Sequence, residues 1–372
     1  MTTKKKNVRK ADAESPPLPD DVIREILSFL PVKSLLRFTC VCKSWKLIIS
    51  NPQFVKLHLR RSSANMADFT HIQLLSEVCN DFDDEDFESQ GHLYYATPGF
   101  TLLGTCNGMI SFIKWKYTLE YTPRTCWICF WNPTTKLWSR VSPPLSFHDK
   151  QHPSYKTFGF RYDGVNDTYK VVVAYAEEHQ QSVVNVYDMG GSCWRRIQSF
   201  PDGVPNEVSV NHWTRPQEGV YVGDTLNWVF KLNTHLSAIV SLDLVTEKQS
   251  QMSLPYFSPS SKYLKLILGA LKDSLCVLHN VDGRRFVIWH MKEFGAHESW
   301  IQLFNFDFKI HLINPFGFVL SENDEVLMMS REEVVLYNQR DDIFKVKSGL
   351  GWDMDFSYCS VQNYVESLVS PR

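Results

Sequence analysis

Five polar residues, each closing a strand-like run, recur along the chain and constrain its fold more than any other feature. They are Asn132, Asp188, Asp243, His290 and Asn338, in FWNPTTKLW, VYDMGGSCW, SLDLVTEKQ, IWHMKEFGAHESW and LYNQRDDIF. Their separations are 56, 55, 47 and 48 residues. An aromatic follows the marker by six residues at Trp138, Trp194 and Phe344 and by ten at Trp300, whereas the third unit has Gln249 there. Upstream of each marker lies a hairpin-like segment: TLLGTCNGMISF, GFRYDGVNDTYKVVVAY, GVYVGDTLNWVF, LGALKDSLCVLH and FGFVLSENDEVLMM. Each period therefore holds about four strands, and a four-stranded repeat of roughly 50 residues is the pattern of a β-propeller blade. Such sheets bury their faces only against one another, in a ring. The recurring aromatics are expected to pack within and between blades. Strand-like HIQLL (71–75) and HLYYA (92–96) could join SYCSVQNYVESLV (357–369) in a composite closing blade. Six blades are expected on that count, with five or seven also compatible.

The first part of the chain has a different period. Residues 1–17 are basic and polar and end in Ser15-Pro16-Pro17, which predicts a disordered lead. From Asp20 the spacing is helical: Val22, Ile23, Ile26, Leu27 and Leu30 recur with polar residues between them. Asp20 and Asp21 suit a helix start, by capping and by complementing the dipole. Pro31 cannot continue that helix. A second short helix holds Leu35, Leu36, Phe38 and Val41. A third holds Trp45, Leu47, Ile48 and Ile49 and stops near Asn51-Pro52; Phe54, Val55, Leu57 and Leu59 could extend the unit. The expected organisation is mainly β with a small α module: a lead over 1–17, a three-helix module over 18–60 and a propeller over 68–369.

A helical piece of about 40 residues is at the size where a core rarely stabilises itself without a disulfide, metal or partner. Cys40 and Cys42 are two apart and cannot staple it. Its apolar residues either pack onto the propeller or insert into another protein as buried anchors.

Lys plus Arg (39) nearly balance Asp plus Glu (41), which argues against a nucleic-acid binder. No apolar run approaches the roughly 18 residues that span a bilayer, and no secretory pattern follows MTTKKKNVRK. Neither a membrane nor a nucleic acid is an expected partner. Nine scattered cysteines predict reduced thiols, hence nucleus and cytoplasm. Lys4, Lys5, Lys6, Arg9 and Lys10 could direct nuclear import or be a solvated tail.

No metal, cofactor or catalytic site is expected. Cys126 and Cys129 with His148 and His152 match a zinc set only by count, and a separation of three on a strand puts the two thiols on opposite faces. The acidic run DFDDEDFE (81–88) lacks the glycine of a calcium loop at its sixth position and has His92 at its twelfth. No nucleophile elbow, phosphate-cradling loop or metalloprotease helix occurs.

Leu18-Pro19-Asp20-Asp21, then Ile26 through Leu35 (ILSFLPVKSL), then Val41-Cys42-Lys43-Ser44-Trp45 resemble an F-box, the motif by which ubiquitin-ligase receptors dock on a Skp-type adaptor. The resemblance implies that Leu18, Pro19, Ile26, Leu30, Pro31, Leu35, Val41, Cys42 and Trp45 form the adaptor surface, with a cullin reached through the adaptor. The remaining segments, among them LLGTCNGMISF, WNPTTKLW, FGFRYDGVNDTYKVV and the terminal YVESLVSP, resemble the F-box-associated interaction domain of plant F-box/kelch-repeat proteins. A kelch-like propeller and a non-catalytic receptor that holds an unknown target for ubiquitination are then implied. The alternatives are a propeller enzyme and a non-degradative scaffold on the same adaptor.

Tight turns such as Asn107-Gly108 and Thr134-Lys136 place the longer connections on the opposite face of the ring. Those connections supply the candidate target-binding residues Trp115, Tyr117, Tyr121, Arg124, Trp213, Arg215, Tyr256 and Arg284, aromatic and Arg types enriched at interface hot spots.

Overall fold

The computed structural model describes residues 18–64, 100–117, 123–147, 157–176, 182–200, 217–231, 237–255, 265–315, 317–321, 324–330, 333–348 and 364–371. Four helices come first: α1 (Asp20–Leu27), α2 (Val32–Phe38), α3 (Lys43–Ile49) and α4 (Pro52–Ala64). Two begin the same way. Pro19 and Pro31 are extended (φ −57°, ψ 144–145°) and offer their carbonyls to the first helical amides. Asp20 and Asp21 are thus first-turn residues and not caps; Asp21 pairs with Arg24 at 3.0 Å.

The expectation of three helices falls short by one. Asn51-Pro52, read as a stop, is also a start. Proline suits the first helical position because its missing N–H has no intrahelical partner there, and Asn51 Oδ1 accepts the Gln53 amide at 2.8 Å. Helix α4 then returns along α1. Phe54 is buried beside Leu27, Leu35, Ile48 and Ile49, His58 Nε2 donates to the Leu30 carbonyl at 2.8 Å, and Arg61 bonds Glu25 at 2.7 Å and the Ser28 hydroxyl.

Five antiparallel meanders follow. The first holds β1 (Phe100–Cys106), β2 (Met109–Tyr117), β3 (Pro123–Asn132) and β4 (Leu137–Trp138), with β5 (Leu145–Ser146) also on β3. The second is β6 (Thr157–Asp163), β7 (Thr168–Ala176), β8 (Ser182–Asp188) and β9 (Arg195–Ile197), and β10 (Gln217–Glu218) adds in parallel to β6. The third is β11 (Val220–Val222), β12 (Thr225–Lys231), β13 (Ser237–Asp243) and β14 (Gln249–Ser253). The fourth is β15 (Lys265–Leu271), β16 (Ser274–Asn280), β17 (Arg285–Met291) and β18 (Trp300–Asp307). The fifth is β19 (Gly317–Leu320), β20 (Glu325–Met329), β21 (Glu333–Asn338) and β22 (Ile343–Ser348).

Among the described residues there are thus five blades, not six. The segments 71–75 and 92–96 and most of 357–369, assigned to a closing blade, lie outside the described residues, as does the acidic run 81–88. Residues 364–369 are described, and they hold to blade 1 without forming a strand.

The polar markers sit at the end of each third strand or, for His290, one residue before it, and three of them hold the turn that follows. The side-chain oxygen of Asn132 accepts two backbone amides, from Thr134 and Thr135; Asp243 does so from Val245 and Thr246, and Asn338 from Arg340 and Asp341. Such Asx turns are why Asn and Asp recur there. The marker aromatics pack on the third strands: Trp138 stacks on Trp131 at 5.4 Å and Phe344 on Tyr337 at 4.6 Å, while Trp194, just before β9, lies tilted against Tyr187 at 5.3 Å.

Blades join through buried side chains. Trp194 Nε1 donates to the Pro143 carbonyl at 2.8 Å, Trp228 Nε1 to that of Phe158 at 2.9 Å and Trp300 Nε1 to that of Ser253 at 3.2 Å, each crossing to the preceding blade. Space for such contacts comes from glycines in the first strands, which crowd toward the ring centre. A Cβ on Gly159 would lie 2.4 Å from Leu226 of blade 3, and one on Gly269 2.6 Å from Phe318 of blade 5.

Candidate functional site

Helix α1 and the residues flanking it carry two apolar stripes. Ile23, Leu27 and Leu30 face the module's own core. Leu18, Val22, Ile26 and Phe29, spaced by four or three, lie along another stripe and are exposed. Val41 in the α2–α3 turn and Leu47 on α3 are exposed too. Among the described residues, six of thirteen exposed large apolar side chains fall in residues 18–64. This is a contiguous stretch of chain far more apolar at its surface than the propeller.

The sequence-predicted adaptor residues divide by burial. Leu18, Pro19, Ile26, Pro31, Val41 and Cys42 are exposed. Leu30 and Trp45 are half-buried against the core, and Leu35 is fully buried within it. The segment VCKSW holds the module together as well as presenting a surface. Cys42 Sγ accepts the Trp45 amide at 3.5 Å at the start of α3, Ser44 Oγ donates to Asp20 at 3.4 Å, and Trp45 meets Phe38 edge-on at 5.3 Å. Val22, Phe29 and Leu47 were missed by the sequence reading. Phe29, 69% exposed, lies under the Arg61 guanidinium at 4.2 Å, and Leu47 is 73% exposed. The four-residue spacing Leu18–Val22–Ile26 was the available signal for Val22.

The module meets the propeller on the tight-turn face. Lys56 on α4 pairs with Asp167, in the β6–β7 turn, at 2.8 Å. That hydrogen bond raises the Lys56 pKa and lowers that of Asp167, which also accepts from the Tyr162 hydroxyl.

In an up-and-down meander, alternate connections lie on opposite faces, so the longer connections point away from this contact. Of the candidate target-binding residues there, Tyr121, Trp213, Arg215 and Tyr256 lie outside the described residues, and the side chains of Tyr117 and Arg124 are not among those described. Trp115 is buried, packed on Phe147 at 5.8 Å and Phe158 at 5.9 Å between blades 1 and 2. Arg284 is exposed in the β16–β17 connection. Beside it, Ile310 and Leu312 stand exposed on the β18–β19 connection, which is pinned there by the bonds Phe308 N to Arg284 O and Ile313 N to Gly283 O, both 2.8 Å. Sequence reasoning did not name that connection, whose exposed large residues, Ile310 and Leu312, are aliphatic and not the aromatic and Arg types it selected.

Cys126 and Cys129 do face opposite sides of β3. Cys126 packs with Ile128 and Phe130, and Cys129 with Ile110 and Phe112, where burial pushes its thiol up to about 12. Among the described residues no cluster of His, Cys, Asp and Glu could hold a metal ion.

Comparison with known proteins agrees with this division of the chain. The F-box associated beta propeller domain family matches residues 99–371, and the F-box domain family matches residues 17–57. The F-box/kelch-repeat protein At3g23880 of Arabidopsis thaliana is 28% identical, over 95% of this chain and 96% of its own length. The F-box protein CPR1 of the same plant is 26% identical, over 77% of this chain and 72% of its own. Among solved structures, SapL1 lectin in complex with alpha methyl fucoside is 12% identical with a TM-score of 0.42, covering 65% of this chain and 76% of that one. So loose a likeness has no bearing on function.

Proposed function

Since this chain belongs to the F-box proteins that carry an F-box associated β-propeller domain, we propose that it is the substrate-recognition subunit of a Skp–cullin–F-box ubiquitin ligase. The α module docks on a Skp-type adaptor, and the propeller holds a target protein near the ubiquitin-charged enzyme. The observation that carries this reading is the second apolar stripe along α1 and its flanks, exposed at Leu18, Val22, Ile26 and Phe29 while a separate stripe fills the core. A partner that covers it removes apolar surface worth about 25 cal/mol per Å². In this role the chain performs no chemistry itself. It raises the effective concentration of target lysines at the transfer site.

The adaptor contact is tested by Ile26→Asp and Phe29→Ser, which lie outside the module's buried cluster and should leave its fold intact. Binding to a purified Skp-type adaptor should weaken by about 100-fold or more, as for a central hot spot. Undiminished binding by both variants would exclude this surface. For the target face, Trp213→Ala with Arg215→Ala, and Ile310→Asp with Leu312→Asp, should reduce capture of proteins that accumulate when the proteasome is inhibited. Adaptor binding, unchanged, is the control. Accumulation of a captured protein when this chain is depleted separates degradation from scaffolding.

A further inference from the structure

The C-terminal residues 364–369, Tyr-Val-Glu-Ser-Leu-Val, run between the two units and touch both. Blade 1 holds one side. Tyr364 is buried with Ile110 and Phe112, and its hydroxyl meets Thr134 Oγ1 at 2.7 Å. Ser367 is completely buried, and its hydroxyl donates to the Asn107 carbonyl at 2.6 Å. Asn132 Nδ2 donates to the carbonyls of Ser367, at 3.0 Å, and Val369, at 2.7 Å. Space for the segment is made at Gly108 (φ +77°), where a Cβ would lie 2.4 Å from Ser367 Oγ and 2.5 Å from the Val365 carbonyl. Leu368 points the other way, onto the helical core of Leu27, Leu35, Ile48, Ile49 and Phe54.

We propose that this strap is the positioning element of the molecule, with Leu368 the residue that locks the helical module against the tight-turn face of the propeller. A further link between the units, Lys56–Asp167, is exposed on both sides (51% and 63%), and such pairs contribute little. The strap instead combines buried hydrogen bonds, which are costly to open, with an apolar contact. Asn132 does two jobs at once: its oxygen caps the β3–β4 turn and its nitrogen grips the strap. On the receptor reading proposed above, the strap sets the distance and angle between the adaptor and the long-loop face, and with them which lysines come within reach of ubiquitin transfer.

The test uses the full chain, alone and bound to a purified Skp-type adaptor. Leu368→Asp leaves the blade 1 grip intact. Asn132→Asp keeps the acceptor for the Thr134 and Thr135 amides and loses the donor to both strap carbonyls. Each should broaden the small-angle scattering distance distribution. Amide exchange at Ile48 and Ile49 should quicken by about tenfold, as expected on opening one buried apolar contact. Leu368→Met should restore both. Adaptor affinity should stay within about twofold, as for sites without shared contacts, and in a reconstituted ligase the set of lysines modified on the chain itself should widen. Unchanged scattering and exchange in both variants would overturn the proposal, and so would an unaltered set of modified lysines in a loosened chain. Loss of adaptor binding in the variants alone would also overturn it, since the strap would then be folding the module and not placing it. Failure of the unaltered chain to bind the adaptor would instead count against the receptor reading and leave the scattering and exchange results to decide the strap.

Discussion

Lys170 on β7 is buried, yet it keeps a full set of partners: Asp163 at 2.9 Å, the Leu244 carbonyl at 2.5 Å and Glu247 at 3.6 Å. Glu247 in turn takes a two-pronged contact from Arg195, at 2.8 and 2.7 Å. Blades 2 and 3 are thereby tied by charges as well as by apolar packing. Burial alone would raise the Asp163 pKa, but hydrogen bonds from Asn166 and Lys170 outweigh it and hold the carboxyl down at about 2. A carboxylate depressed in the folded state stabilises it fully above its unfolded value, near 4, and that stabilisation disappears as pH falls through about 2. Asp163→Asn keeps an oxygen for the Val165 and Asn166 amides but can turn an amine toward Lys170. It should lower unfolding free energy by about 3–5 kcal/mol at pH 7, the range for breaking a buried pair. Urea denaturation should show the gap between wild type and variant narrowing between pH 4 and 2, and a gap independent of pH would refute this assignment. None of this network was legible in the sequence, because Lys170 and its partners Leu244 and Glu247 are more than seventy residues apart. The markers Asn132, Asp243 and Asn338 were legible because their task is local, holding amides two and three residues on.

At the scale of elements, the period found each of the five described blades, since every marker lies at or next to the end of a third strand and each upstream hairpin is a first-and-second strand pair. What escaped were elements with no period. The two-residue strands β5 and β10 exist because a neighbour's edge was free to pair, which is a tertiary condition. Helix α4 escaped because one dipeptide, Asn51-Pro52, serves as both stop and start. Blade packing adds a further constraint that sequence alone could not reveal: where one blade has a glycine, the next has a large apolar residue. Gly159→Ala should therefore overpack the join with Leu226 and destabilise the propeller by about 1–3 kcal/mol. Leu226→Ala alone opens a cavity at a fully buried site and should cost about 2–5 kcal/mol. The double variant should be more stable than the sum of the two losses predicts, because the added methyl enters the space vacated. A double-mutant cycle showing strict additivity would mean the two residues do not share that space.

For the whole molecule, the sequence separated a helical unit from a β unit, but did not show how they are joined. The module's surplus of apolar residues was visible at Leu18, Ile26 and Val41. That Leu35 would be spent on the core depended on how the short helices pack on one another, and that Leu368 would help cover it depended on packing between segments more than three hundred residues apart. This arrangement makes a prediction about how ligand binding spreads. A partner that binds only the folded module stabilises it by an amount set by its concentration relative to Kd, about 2.7 kcal/mol at a hundredfold excess. Adaptor at that level should slow amide exchange throughout α1–α4, since those helices share one core. If the strap couples the units, the protection should continue into Leu368 and Val369 and reach the first blade, whose Asn132 holds them. It should fade toward β15–β22, the strands of blades 4 and 5. Hydrogen exchange followed by mass spectrometry resolves these segments. Protection confined to the helices would mean that the module and propeller respond as independent bodies, and uniform protection of all five blades would mean that the ring opens as one unit. The gradient expected here lies between those outcomes, because the described links to the module, the strap on blade 1 and one exposed ion pair on blade 2, sit at one end of the series of blades.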